Sequence, residues 1–212
     1  MEILPVREND REEIINISRR SFEWGDYIEQ VFDLWLEEGL FLKAVENNRI
    51  VGFIHVRLFK EFSWLEGLRV REDSRRKGVA TELTRMAIHL SGKKIIRLMI
   101  LESNAPSRDL ANKLNFMEID RVYYKMGENM DFESLIKKYG LRKMGHTLKE
   151  NFVDSWVYFD YFYYDDYIYG NDSGVRLLKT NPPFILNGSI DEENISKKGD
   201  GECFIIYEKR LD

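Results

Sequence analysis

Residues 78–92, GVATELTRMAIHLSG, constrain the fold of this chain more than any other stretch. Val79, Leu83, Met86, Ala87 and Leu90 recur at helical spacing on one face, and Ser91 and Gly92 supply a stop. The segment therefore reads as an amphipathic helix. An apolar run at residues 63–70 precedes it and another at residues 95–101 follows it, and short apolar runs bounded by polar turns read as strands. The centre of the chain is thus strand, helix, strand, and it belongs in a mixed α/β layer structure.

The flanks extend this pattern. Residues 2–6 alternate like an edge strand, and Asn9 or Asp10 offers a side-chain oxygen to the free amides of a helix start. Ile14, Ile15, Ile17 and Phe22 mark a first helix. Ile28, Val31, Phe32 and Trp35 mark a second, ending near Gly39. Residues 40–45 and 50–58 form two strands joined by ENNR, where Asn tolerates the positive φ of a tight turn. A short helix at 106–114 and a strand at 116–126 complete the order βααβββαβαβ. A chain of 212 residues can hold one sizeable domain or a domain with an extension.

Composition excludes several functions. Apolar residues make up 43% and charged residues 33%, and no apolar run approaches the roughly 20 residues that cross a bilayer. The opening MEILPVREND has neither the basic nor the apolar region of a secretory leader, and Cys203 is the single cysteine. A soluble cytoplasmic protein without disulfides or membrane association is expected. A net charge of -5 disfavours nucleic acid as a partner and suits a cationic substrate. His55, His89 and His146 are scattered, so no metal site is expected.

The charge is uneven. Residues 1–128 carry 21 basic against 22 acidic side chains, and residues 129–212 carry 11 against 15. Eight of the eleven tyrosines also fall after residue 128. Residues 152–169 hold ten aromatics and four aspartates with no basic residue. They read either as packed aromatic strands or as an acidic wall for a cationic substrate. The chain thus divides into 1–128 and an aromatic-rich α+β extension at 129–212. Residues 202–210 form a strand that closes the sheet if 129–200 is an insertion. A homodimer built through the extension is the other structural reading. Cys203, beside FIIY, reads as a buried small hydrophobe.

Four joints of the βααβββαβαβ order carry a resemblance. RRKGVA at 75–80 fits an Arg/Gln-x-x-Gly-x-Gly/Ala pattern opening the best helix. LMILESN at 98–104 ends a strand on an Asn. SRDLANKLNF at 107–116 matches a helix and turn through Leu110, Lys113, Leu114 and Phe116, and RIVGFI at 49–54 matches a strand with its Gly52. Together they resemble the GNAT superfamily of N-acetyltransferases over roughly residues 2–126. The resemblance implies a mixed sheet, splayed at its centre and flanked by helices, that holds acetyl-CoA.

It also implies a site. Arg75, Arg76, Lys77, Gly78, Val79, Ala80 and Thr81 would grip the pyrophosphate, because a helix start presents free amides and the positive end of the macrodipole. Backbone groups of Leu68 and Val70 would pair with the pantetheine arm. Asn104, Ser107 and Lys113 would complete the cofactor contacts. Glu66 is similar to the family's catalytic base, needed because an amine of pKa about 10.4 is protonated near neutrality. Glu23, Trp24 and Asp26 would border the acceptor, a small amine or a peptide or protein amine. Ala111 stands where the family often carries a Tyr acid. Tyr123, Tyr124 or a tyrosine of the extension is its candidate replacement, and an acyl-CoA-binding regulatory protein with weak turnover is the alternative function.

Overall fold

A computed structural model describes residues 1–19, 26–125, 130–186, 194–199 and 201–212. The chain forms two compact units. The first comprises Met1–Leu98, Leu110–Phe116 and Glu208–Asp212; the second comprises Met99–Asp109 and Met117–Tyr207. Among the described residues no helix is long and apolar enough to cross a membrane.

The chain opens with β1 (Glu2–Pro5), α1 (Arg11–Ser18), α2 (Ile28–Glu38), β2 (Phe41–Glu46), β3 (Arg49–Leu58), β4 (Phe62–Val70), α3 (Val79–Ser91) and β5 (Ile95–Leu101). With α4 (Ala105–Lys113) and β6 (Met117–Tyr124) the order is the βααβββαβαβ expected. In the first unit β1, β2, β3 and β4 pair antiparallel in sequence order, and β5 pairs parallel to β4.

The local chemistry explains the boundaries. Asn47 and Asn48 turn β2 into β3 with φ of 52° and 57°, the left-handed pair a two-residue hairpin requires. Gly39 at φ 88° ends α2 and Gly92 at φ 61° ends α3. Gly52 is needed for packing. A methyl there would lie 2.8 Å from the Arg69 carbonyl oxygen and 3.1 Å from Val79, so only Gly lets α3 settle on β3.

The structure corrects two details. Leu90 is exposed, and the buried face of α3 runs through Val79, Leu83, Ala87 and Ile88. Asp10 does not cap α1 with its side chain. Its carboxylate accepts the Arg7 amide at 2.7 Å and pairs with Lys43 at 2.6 Å, a cation at bonding distance outcompeting weakly held helix amides. Phe22 lies outside the described residues.

The core beneath α1 and α2 contains Ile14, Ile17, Ile28, Phe32, Trp35, Phe41, Ile50 and Phe53. Elsewhere in the unit, Arg97 and Glu208 form an ion pair of 2.8 Å, both nearly fully buried.

The second unit continues with α5 (Phe132–Tyr139), β7 (Arg142–Gly145), β8 (Phe152–Asp154), β9 (Val157–Phe159), β10 (Ile168–Gly170), β11 (Arg176–Leu178), β12 (Phe184–Ile185), β13 (Ile195–Ser196) and β14 (Glu202–Arg210) as far as Tyr207. Its strands run in the order β14, β6, β13, β12, β11, β10, β7, while β8 and β9 form a separate hairpin. Asp131 caps α5 by accepting the Ser134 amide at 2.8 Å, and Leu135, Leu141, Val175, Leu177 and Ile185 make a small core. Phe152 and Tyr158 of the aromatic run are buried, whereas Tyr161 and Phe162 are exposed.

Candidate active site

The site is built from one irregularity in β4. Gly52 lies opposite Val70 and Phe53 opposite Arg69, but His55 lies opposite Glu66, so Ile54 faces two residues, Gly67 and Leu68. This is a β-bulge, and Gly67 at φ 66° supplies the left-handed residue it needs. Gly67 is required twice over. A methyl on it would sit 2.2 Å from Cη2 of Trp35, whose ring covers the bulge from α2.

The bulge bends β4 where its other neighbour leaves. The register of β4 on β5 runs from Phe62–Ile95 to Leu65–Leu98, whereas β4 continues to Val70. Arg71 donates its amide to the Val51 carbonyl, so residues 69 and 71 point their backbone groups at β3. Strand alternation then turns those of Leu68 and Val70 to the opposite edge. Arg75 Nε reaches the Val70 carbonyl on that edge at 3.3 Å.

The same edge leads into the start of α3. Gly78 takes the N-cap position at φ 88° and no side chain caps the helix, so its first amides stay available. Arg75, Arg76 and Lys77 are exposed, and Arg76 and Lys77 form no ion pair among the described residues. The nearby acid does not neutralise them. Asp73 is engaged by the Ser74 hydroxyl at 3.0 Å and by Arg49 at 2.9 Å, and these contacts hold its carboxyl below the ordinary range. Val79 and Thr81 bury their side chains, so what they leave at the helix start is backbone; Ala80 is half-buried.

Glu66 is half-buried, its side chain 15% exposed, and its Oε1 lies 2.9 Å from Nδ1 of the fully buried His55. His55 stacks on Trp35 with ring centroids 4.5 Å apart and planes 8° from parallel. Glu38 Oε2 approaches the other ring nitrogen, Nε2, at 3.3 Å without hydrogen-bond geometry, and its Oε1 lies 3.5 Å from Arg57. Donor atoms of Glu38, His55 and Glu66 fall within 4.8 Å of one another. Because the carboxylates approach opposite ring nitrogens, this is the geometry of a bridging imidazole rather than of ligands converging on one ion.

Asp26, with a side chain 1% exposed, spends both carboxylate oxygens on Arg69 at 2.7 and 3.1 Å. Glu23 and Trp24 lie outside the described residues. Asn104 belongs to the second unit, where its Oδ1 accepts the Ser107 amide at 3.3 Å and so caps α4. Lys113 is exposed in the last turn of α4, and Ala111 is buried. Tyr123 and Tyr124 lie on β6, where Cys203 raises the Tyr123 pKa by charge and hydrogen bonding, and Tyr124 meets Trp156 edge-on at 5.2 Å. Sequence reasoning missed His55, Glu38 and the bulge. The signal was present in Gly67, a glycine inside an apolar strand.

Residues 11–116 match the family model of the acetyltransferase (GNAT) family. No curated protein matches the sequence significantly. Among solved structures, a Thermoplasma acidophilum protein assigned as an acetyltransferase superposes with a TM-score of 0.67 at 15% identity, covering 100% of both chains. The ribosomal-protein-S18-alanine N-acetyltransferase of Escherichia coli gives 0.56 at 15% identity, covering 100% of this chain and 94% of that one. The ribosomal-protein-alanine N-acetyltransferase of Brucella melitensis gives 0.57 at 13%, with both chains fully covered. At these identities the likeness concerns the fold.

Proposed function

Because the chain belongs to the GNAT family of acetyltransferases, we propose that it transfers an acetyl group from acetyl-CoA to a primary amine, with Glu66 as the base. The observation that carries this reading is the meeting, within one unit, of three features at one strand end. They are a half-buried carboxylate, a β4 edge with no β5 partner beyond Leu65, and an uncapped helix start beside three exposed cations.

The residues fit the cofactor. The amides at the start of α3, with Arg75, Arg76 and Lys77, suit a diphosphate, because aligned peptide dipoles and cations act together there. The Leu68 and Val70 amides suit the carbonyl oxygens of an arm laid along the strand edge, whereas their own carbonyls accept from Arg69 at 3.0 Å and Arg75 at 3.3 Å. When bound, acetyl-CoA supplies the acetyl group as an activated thioester. The acceptor nitrogen needs a lone pair to attack it, and as the carbon–nitrogen bond forms that nitrogen sheds a proton. Glu66 takes this proton, directly or through a water, while the carbon–sulfur bond breaks and the thiolate departs.

The acceptor class follows from the same requirement. A peptide N-terminus, with a pKa of about 8, offers more free amine near neutrality than a lysine at about 10.4. Two full-length structural neighbours are named for a ribosomal-protein alanine, so N-terminal peptides lead the acceptor panel. Lysine peptides and polyamines complete it.

The test is thiol release on that panel. Glu66→Gln is expected to lower kcat by about 100-fold or more while leaving acetyl-CoA affinity near the wild-type value. Native protein at 100 times the Kd of acetyl-CoA should gain about 2.7 kcal/mol of stability. A normal kcat in the Gln variant overturns the role of Glu66. A thermal shift without thiol release on any acceptor favours the binding-only alternative. Neither shift nor release removes both.

A further inference from the structure

The base is held by a neighbour that the acetyl-transfer reading does not require. His55 Nδ1 lies 2.9 Å from Glu66 Oε1. An ionised carboxylate only accepts hydrogen bonds, so Nδ1 must carry the proton and donate it. Nδ1 therefore carries a proton whatever the state of Nε2, which faces Glu38 Oε2 at 3.3 Å.

The ring has little freedom. It is fully buried, stacked on Trp35 at 4.5 Å and met edge-on by Phe41 at 5.8 Å and 89°. Turning it would open the core below α2. A rigid donor therefore fastens one oxygen of Glu66 and leaves Oε2 to receive a proton. Packing alone does not explain a histidine here. Burying an imidazole costs free energy unless its polar atoms are matched, whereas a Phe would fill the space between Trp35 and Phe41 without that cost. The bond to Glu66 offsets that cost at Nδ1, while Nε2 faces the Glu38 carboxylate at 3.3 Å without a hydrogen bond.

We propose that His55 is a positioning residue for the reaction, orienting the Glu66 carboxylate through an Nδ1–H···Oε1 hydrogen bond. It touches no substrate itself and acts only through Glu66. The inference rests on the reading of Glu66 as the base.

The first test uses the native chain. Long-range proton–nitrogen NMR on histidine-labelled protein separates the two ring nitrogens, and His55 is expected to be protonated at Nδ1. A ring protonated at Nε2 alone overturns the proposal. The second test compares two variants. His55→Phe keeps the stacking and loses the donor. His55→Asn loses the stacking but places an amide N–H near the Nδ1 position.

The Phe variant is expected to lose about 10-fold or more in kcat, the loss of one hydrogen bond to a charged group, with KM for acetyl-CoA unchanged. The Asn variant is expected to recover most of that loss despite a lower Tm. Equal kcat in wild type and the Phe variant, or a loss in the Asn variant as large as in the Phe variant, overturns it. If the Asn variant does not fold, the Phe variant and the tautomer decide. Glu66→Gln keeps the two readings apart. An active Gln variant ends the assignment of Glu66 and this inference with it, whereas an inactive Gln variant beside a fully active Phe variant ends only this inference.

Discussion

Replacing Gly67 by Ala probes the bulge that shapes the site, and its cost can be worked from two separate geometric facts. The residue sits at φ 66°, and an L side chain in the left-handed region costs about 1–2 kcal/mol. The added methyl would also stand 2.2 Å from Trp35 Cη2 and 2.6 Å from Cζ3, against an ordinary carbon contact of about 3.5–4.0 Å. Trp35 cannot simply withdraw. It is 3% exposed and held edge-on to Phe41 at 5.3 Å while stacked on His55. Overpacking of this kind costs about 1–3 kcal/mol. The total for Gly67→Ala is therefore about 2–5 kcal/mol.

A double-mutant cycle with Trp35→Leu separates the two parts. Truncating Trp35 alone is expected to cost about 3 kcal/mol, the range for losing a large buried side chain. In the Leu background the ring is gone, so Gly67→Ala should cost only its backbone share of about 1–2 kcal/mol. The coupling between the two sites is then about 1–3 kcal/mol, well above the ~0.5 kcal/mol scatter expected of independent sites. Urea unfolding of the four proteins followed by circular dichroism measures it. Additive costs would show that the ring and the bulge do not meet as described, and the placement of Glu66 argued from that bulge would fall too.

Two other perturbations test neighbouring parts of the site. Asp26→Asn leaves the nearly buried Arg69 without its carboxylate, so it should destabilise the fold by about 3 kcal/mol, as breaking a buried pair does. A raised KM for the amine with an unchanged Tm would instead make Asp26 an acceptor contact. Replacing Arg75, Arg76 and Lys77 together by Ala should raise the Kd for coenzyme A by about 10-fold or more, with Tm little changed because all three are exposed and the exposed bond from Arg75 to the Val70 carbonyl is long, at 3.3 Å. Calorimetry showing unaltered affinity would put the diphosphate elsewhere.

The elements that could be read from the sequence are those whose signals are local. The hairpin at Asn47 and Asn48 and the stops at Gly39 and Gly92 follow from residues that accept positive φ. The faces of α2 and α3 follow from spacing, with Leu90 misplaced because periodicity gives a face without its edge. The helix start at Gly78 follows from its turn chemistry, whereas Glu66 stands out only through the resemblance to the family and not through any local signal. What each polar side chain binds was not legible. Asp10 could have capped α1 and pairs with Lys43, and the Arg69 partner of Asp26 has no signal in the sequence near either residue. Such choices depend on residues distant in sequence, over which single-residue preferences have no hold.

His55 shows how a single inserted residue decides such a pairing. Counting back along β3 and β4 from Gly52–Val70 and Phe53–Arg69, a regular ladder would set Ile54 against Leu68, His55 against Gly67 and Val56 against Glu66. Glu66 would then share its face with an aliphatic side chain and have no donor across the strand. The bulge adds one residue to β4 and moves every earlier partner by one, so that His55 meets Glu66 and Val56 meets Leu65. Since a shift of one residue exchanges the two faces of a strand, the same insertion also decides that Glu66 points toward Trp35 and α2. The left-handed glycine that opens the strand edge is therefore also what gives Glu66 its partner. For this reason neither could be read from Glu66 and His55 taken separately.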